Sequence, residues 1–530
     1  MGIPSYFAQL VKNYKGILKP TAESWLKVSN LYLDSNSIIY DAAREIKYDG
    51  NNEVFQSKLI TLVCEKIQKY IELLKPSFVM VAFDGVAPVA KLEQQRNRRY
   101  KSWLEHQIIQ NISGRVSEEW CTASITPGTN FMNSLGEKVT EYFSDYDECK
   151  VIVSTSNEAG EGEHKIFAHI RENAVAYKNL THVIYGLDAD LIMLTLNHLY
   201  ISENMYLFRE TPQFIKSIDR NLNPNELYCI DIPELHISIV QELTNSAVPV
   251  KDARRVNDYI LLCFLLGNDF MPHFPSVNIR NMGINHLLEA YRSTVGTEDS
   301  SYLSDGDCIS WGNIKKIIRY LANKEDQLLE EEYTIRERQS KRAKIPRRDQ
   351  KQMDRFQLLP IVDRREELYI APAKNENSWK HRYYHVLFDC NYTPERTKQI
   401  CINYMEALQW TFMYYRKGCL DWRWHYPYHY APLLTDLVKY IPDLPFEMIS
   451  KSEKLPVSPM TQLCYVLPKP YHHLLPKTLS EQINVEFPSG YQVNWVIQWC
   501  FCKYFWESHA KMSKIDVDKL VMITKDYKSC

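Results

Sequence analysis

Three short apolar runs near the start of the chain end in carboxylates: LYLD closes on Asp34, FVMVAFD closes on Asp84, and HVIYGL leads directly into Asp188 and Asp190. Runs this short, rich in β-branched and aromatic side chains, read as buried strands. An amphipathic helical pattern over Glu53–Leu74 separates the first two, and KVIVS at Lys150–Ser154 leads through an acidic turn into another helix. Strands alternating with helices predict an α/β fold, a mostly parallel twisted sheet flanked by helices, whose ligand sites lie beyond the carboxyl ends of the strands. The acids are therefore expected to gather at one edge.

Other features exclude whole classes. Hydrophobic residues make up 45% of the chain and charged residues 24%, which rules out a disordered or fibrous protein. The longest apolar run, YILLCFLLG at Tyr259–Gly267, falls short of the roughly 18 to 20 residues of a membrane span. The N-terminus MGIPSYF lacks the pattern of a secretory signal, so an intracellular protein without membrane contact is expected. The 13 cysteines are odd in number and form no CxxC pair, which fits reduced thiols better than disulfides or a zinc site.

A length of 530 residues exceeds one ordinary domain. An acidic stretch from Glu325 to Glu332 passes into a basic one from Arg336 to Arg348, and the aromatic-rich segment Trp410–Tyr430 follows. The expected division is a first unit over 1–324, a charged linker over 325–355, and a second, aromatic-rich and largely helical module over 356–530 packing on the first.

Seven carboxylates sit in motifs at strand or helix ends: Asp34, Asp84, Glu161, Glu163, Asp188, Asp190 and Asp269. A group of this size stays ionised only if cations neutralise it. Oxygen ligands without His or Cys at zinc spacing select hard cations, Mg²⁺ or Mn²⁺. Two such ions about 4 Å apart can promote an in-line displacement at phosphorus, the chemistry of a nuclease. In AGEGEHK, Gly160 and Gly162 allow close backbone approach and are expected to put Glu161 and Glu163 on one side of an extended segment. Asp188 and Asp190 repeat that spacing, and Asp269 in GNDF follows an apolar helix. Basic residues concentrate at Lys91, Arg96, Arg98, Arg99 and Lys101; Lys91, Gln95, Arg98 and Arg99 share one helical face and could encircle a phosphate.

The motifs LYLDSNSIIY, AFDGVAPVAKLEQQRNRRYKS, ITPGTNFM, NEAGEGEHKI, YGLDADLIML, LLGNDFMP and LQWTFMYYRKGCLDWRWHYPYHYAP, after MGIPSYF, resemble in content and order the Xrn family of 5′-to-3′ exoribonucleases. The resemblance implies a PIN/flap-nuclease-like core over 1–324 and the family's second conserved region over 356–530. It assigns all seven acids to catalysis and to binding two Mg²⁺ ions, with Mn²⁺ as a substitute. It assigns Lys91, Gln95, Arg98 and Arg99 to the 5′-monophosphate of single-stranded RNA. Tyr40 stands where the family usually has a stacking His, its partner is one of Trp410, Trp422 and Trp424, and Pro88 matches a position at the channel mouth. Val89 replaces a residue that is commonly basic, and the chain stops at Cys530 without the long C-terminal extensions of large members. The implied protein is a monomer that degrades RNA processively to nucleoside 5′-monophosphates in mRNA decay, downstream of decapping enzymes. The cytoplasm is its favoured compartment and the nucleus the alternative; for a viral protein it is the host cytoplasm or the virion.

Two other readings share features with this one. A flap endonuclease shares the strand-end acids, but its helix-hairpin-helix has only Met282-Gly283-Ile284 as a counterpart here. An inactive RNA-binding scaffold would not need seven acids.

Overall fold

The computed structural model describes residues 6–21, 26–114, 119–210, 216, 222–223, 226–245, 251–343, 356–372, 378–492 and 496–527. The first five residues of MGIPSYF, residues 344–355 of the charged stretch and Cys530 lie outside them.

Strands β1 (Leu18–Pro20), β2 (Asn30–Asp34), β3 (Phe78–Ala82), β4 (Lys150–Ser154), β5 (His182–Tyr185), β6 (Met205–Arg209) and β7 (Tyr228–Asp231) form one sheet. Its order is β1-β7-β6-β5-β2-β3-β4. From β6 to β4 all neighbours are parallel, and β7 runs antiparallel between β6 and β1. The chain moves outward from β2 to β3 and β4, then returns to lay β5 on the other side of β2. Direction thus reverses between β2 and β5, which opens a crevice beyond their carboxyl ends.

Both faces of the sheet are covered, which is why its central strands are apolar without alternation. Leu31, Leu33, Val79, Val81, Val183 and Tyr185 pack with the helices Asn36–Glu45, Asn52–Leu74 and Asn130–Tyr142. Asn51 caps the second of these by accepting from the backbone N–H groups of Glu53 and Val54. Tyr32, Met80, Ala82 and Ile184 face the opposite layer of Gly162–Glu172, Asp190–His198 and Ala253–Phe264. That layer continues into the aromatic-rich module without a break. One cluster of buried side chains runs from Tyr6 to Ile441 and takes in Trp410, Phe412, Tyr414 and Tyr415 of the helix Pro394–Arg416. No helix among the described residues is long and apolar enough to cross a membrane.

Within 325–355, the segment Glu325–Arg342 is a helix with a buried side. Its charges are not simply solvated. Glu325 accepts from the backbone N–H groups of Leu434 (2.6 Å) and Thr435 (2.9 Å). Arg336, 2% exposed, pairs with Glu367 at 2.7 Å and donates to the carbonyl of Cys502 at 2.9 Å. Glu367 in turn accepts from Arg364 and from the N–H of Phe501. Breaking a buried pair leaves an uncompensated charge, so Arg336→Met is expected to destabilise the protein by about 3 kcal/mol. Thermal unfolding followed by circular dichroism checks this, and an unchanged midpoint contradicts it.

Candidate active site

The crevice beyond β2 and β5 collects the acids. Asp34 is the last residue of β2 and Asp84 lies two residues past β3. Parallel pairing sets Leu33 beside Tyr185 and Asp34 beside Ala82, so the acidic turns after these strands come out level. Asp84 is fixed from two sides. Asn36 donates to its Oδ2 at 2.7 Å and accepts from its backbone N–H, while the N–H of Gly162 donates to its Oδ1 at 2.7 Å.

Glu161 and Glu163 do not lie on the extended segment expected from the glycine spacing. Glu161 is the N-cap and Glu163 lies in the first turn of the helix Gly162–Glu172, because the Gly162 N–H finds its acceptor in Asp84 rather than in a strand. Both carboxylates thus sit at the positive end of a helix dipole, as does Asp190 at the start of Asp190–His198. Asp188, two residues before Asp190, is exposed while Asp190 is buried, so the repeated spacing does not give matching environments.

Lys91 bridges the group, with its ammonium 2.6 Å from Glu161 Oε2 and 2.8 Å from Asp269 Oδ2. Burial raises the Asp34 carboxyl well above the usual range, and Asp84, Asp188 and Glu161 push it further. Burial and Asp190 do the same to Glu163. Asp190 rises to about 7 through burial and the charge of Asp269. Burial also works upward on Asp269, but Lys91 overrides it and holds this carboxyl below its ordinary value. The group therefore calls for more positive charge than Lys91 supplies. Glu163 Oε2 is buried without a hydrogen-bond partner among the described residues, an open acceptor among oxygen donors. This donor set fits divalent cations.

The basic face separates on folding. Lys91 turns to the acids, where Glu161 and Asp269 hold its ammonium. Arg96 donates to the carbonyls of Gly490 (2.7 Å) and Ser513 (3.0 Å), and Lys101 to those of Trp506 and Ser508. Arg98 remains exposed. Gln95 is buried with Oε1 unpaired, and Arg99 carries a buried Nε without a partner among the described residues. Burial lowers the Arg99 guanidinium to about 10, and Tyr40 is the largest influence acting the other way. A cavity of about 340 Å³ borders this helix, lined by Gln94, Arg98, Asp269, His425, His429 and His509.

Among the aromatic candidates, Trp410 is 0% exposed. Its indole donates to the Asp421 carbonyl at 3.0 Å and stacks between Tyr414 and Trp424, so it offers no free face and leaves the set of stacking candidates. Trp422, Trp424 and Tyr40 are half-buried. Pro88 is buried at the N-cap of the helix Val89–Ser113 rather than exposed at an opening, and the Val89 N–H donates to the Trp422 carbonyl at 3.0 Å.

Sequence reasoning missed three contributors. Tyr414 donates to Glu161 Oε1 at 3.0 Å, and Tyr415 lies near enough to Asp190 for that carboxylate, after burial, to raise its hydroxyl pKa. His164 stacks on Tyr414 with ring centroids 3.6 Å apart. The HK after GEGE and the YY in FMYYRK were visible, but their approach to the acids is a tertiary fact. Gly162 is a tight point against the acids, since a Cβ there would lie 2.7 Å from Asp34 Oδ1 and 3.1 Å from the Ala82 carbonyl. Gly162→Ala is therefore expected to displace Asp34 and to lower Mn²⁺ affinity, by about tenfold or more. Calorimetric titration reads the affinity, and an unaltered value contradicts the predicted displacement.

Comparison with known proteins identifies the family. Residues 1–211 match the family described as XRN 5′-3′ exonuclease N-terminus, and residues 249–366 and 374–526 match the Xrn1 helical domain. The chain is 26% identical to a protein of Drosophila melanogaster named 5′-3′ exoribonuclease 2 homolog, over 98% of this chain and 70% of that one. It is also 26% identical to 5′-3′ exoribonuclease 2 of Gallus gallus, over 98% and 69%. With 5′-3′ exoribonuclease 1 of Saccharomyces cerevisiae it shares 27% identity over 90% of this chain and 40% of the yeast protein. The second family match alone extends over more than half of the residues, and the chain belongs to the XRN family of 5′-3′ exonucleases.

Proposed function

We propose that the protein is a metal-dependent 5′-to-3′ exoribonuclease that removes nucleoside 5′-monophosphates one at a time from single-stranded RNA carrying a 5′-monophosphate. The observation that carries this reading is the gathering of seven carboxylates at the switch point of the sheet, against a helix that presents Gln95, Arg98 and Arg99. The names printed for the relatives supply the polarity and the substrate class.

Asp34, Asp84, Glu161, Glu163, Asp188, Asp190 and Asp269 would hold two Mg²⁺ ions, with Mn²⁺ able to replace them. Bound there, the ions supply Lewis acidity toward the phosphodiester and neutralise charge in an in-line displacement. The chain's own residues do the positioning. Asn36 and the Gly162 N–H fix Asp84, Tyr414 fixes Glu161, and Lys91 spaces Glu161 from Asp269. Arg99, with its unpaired Nε, and the exposed Arg98 suit a terminal phosphate, with Gln95 beside them. Tyr40, within electrostatic range of Arg99, suits stacking on a base, with Trp422 or Trp424 as its counterpart.

This arrangement accounts for direction and repetition together. A pocket sized for a monophosphate favours that end over a capped one, and each cleavage exposes a new 5′-phosphate. The product end is again a substrate. Such an enzyme works processively in mRNA decay, after decapping has supplied the monophosphate.

Asp190→Asn preserves side-chain volume and is expected to slow degradation of 5′-monophosphorylated RNA by about 10²- to 10³-fold while RNA is still bound. EDTA should abolish the wild-type activity. Degradation of labelled RNA to mononucleotides, beside a flapped DNA control, measures both; wild-type decay in either condition removes the metal assignment. Arg98→Ala with Arg99→Ala is expected to cut the preference for 5′-monophosphate over 5′-hydroxyl RNA by about 10- to 100-fold, since charge-assisted contacts are lost only where the phosphate exists. Competition between the two labelled RNAs reads the ratio, and an unchanged ratio rejects the pocket.

A further inference from the structure

His164 stands out among the side chains that the proposed mechanism leaves unused. It is 7% exposed, and neither Nδ1 nor Nε2 has a hydrogen-bond partner among the described residues. A neutral imidazole offers one donor and one acceptor, and leaving both unmet in a buried place is costly. The ring is held by its faces instead: it stacks on Tyr414 at 3.6 Å and meets Tyr415 edge-on at 5.8 Å. Its nitrogen edge faces the acids. Nε2 is 4.0 Å from Glu163 Oε1, too far for a hydrogen bond. A ring nitrogen of His164 and carboxylate oxygens of Glu161 and Glu163 all lie within 4.8 Å of one another. Glu163 Oε2 is unpaired as well. Glu161 accepts from Lys91 and Tyr414 but keeps lone pairs, since each carboxylate oxygen has two acceptor sites.

We infer that His164 is a nitrogen ligand, and that Glu161, Glu163 and His164 form one mixed oxygen and nitrogen seat for a divalent cation within the carboxylate group. The inference rests on the reading of the acids as a metal centre and adds a selectivity to it. Three donors at about 2.1 Å from one cation stand roughly 3.0 to 3.6 Å from one another, so a bound ion draws these groups inward by up to about 1 Å each, within reach of side-chain rotation. Imidazole is a ligand of transition ions rather than of Mg²⁺, and Mn²⁺, hard enough for the carboxylates, also accepts nitrogen. The seat therefore prefers Mn²⁺ to Mg²⁺, which an all-oxygen set does not demand.

The test uses the full chain, Mn²⁺ as the probe and pulsed electron paramagnetic resonance. The wild type is expected to give ¹⁴N modulation from a directly bound imidazole, replaced by a ¹⁵N pattern in protein made with ¹⁵N-histidine. His164→Phe keeps a ring on Tyr414 and removes the nitrogens. It should lose the modulation and bind Mn²⁺ about tenfold or more weakly, while Mg²⁺ binding, which draws on carboxylate oxygens, changes little. Should this variant fail to fold, the wild-type isotope comparison decides alone. Mn²⁺ bound without nitrogen modulation, or modulation that survives in His164→Phe, overturns the inference and leaves the metal centre standing. Failure to bind either Mn²⁺ or Mg²⁺ overturns the metal reading itself.

Discussion

Carboxylates repel, and a buried group of them keeps its shape only where positive charge and fixed donors hold it. Much of this structure follows from meeting that condition at the reversal between β2 and β5. Two helices begin at the cluster and turn their N-terminal N–H groups toward it. The Gly162 N–H and Asn36 pin Asp84, and Lys91 places an ammonium between Glu161 and Asp269. Burial first, and then the remaining repulsion, raise the carboxyl pKa values of Asp34, Glu163 and Asp190. That unmet charge makes the edge receptive to divalent cations.

The aromatic-rich module takes part in the site as well as in the core. Tyr414 and Tyr415, adjacent on one helix, reach Glu161 and Asp190 respectively, so one rigid rod meets two acids from different elements. Trp410 locks that helix from within by stacking and by its bond to Asp421. Further along, carbonyls between Gly490 and Ser513 capture Arg96 and Lys101. This capture is selective: it takes two cations of the basic helix into structure, while Arg98 stays exposed and Arg99 keeps a buried Nε without a partner among the described residues.

The sheet and the level of its acids were legible in the sequence because parallel strands buried on both faces need unbroken apolar runs, and an acid after each run can only sit at the carboxyl edge. LYLD, FVMVAFD and HVIYGLDAD carried that information by themselves. Local pattern could not say how the AGEGEHK turn would run, because the N–H that starts its helix is satisfied by Asp84, which lies far away in the chain. Nor could it separate five neighbouring cations. Lys91, Arg96, Arg98, Arg99 and Lys101 look alike in a helical projection, but Lys91 finds its partners on Glu161 and Asp269, and Arg96 and Lys101 find theirs in carbonyls between Gly490 and Ser513. The sequence by itself determined which residue types stand at the sheet edge, through period and length. Only the tertiary structure decided which cations remain free, that Trp410 is core, and that His164 turns its unpaired nitrogens toward Glu161 and Glu163, because each of those outcomes depends on a partner that folding brings from another part of the chain.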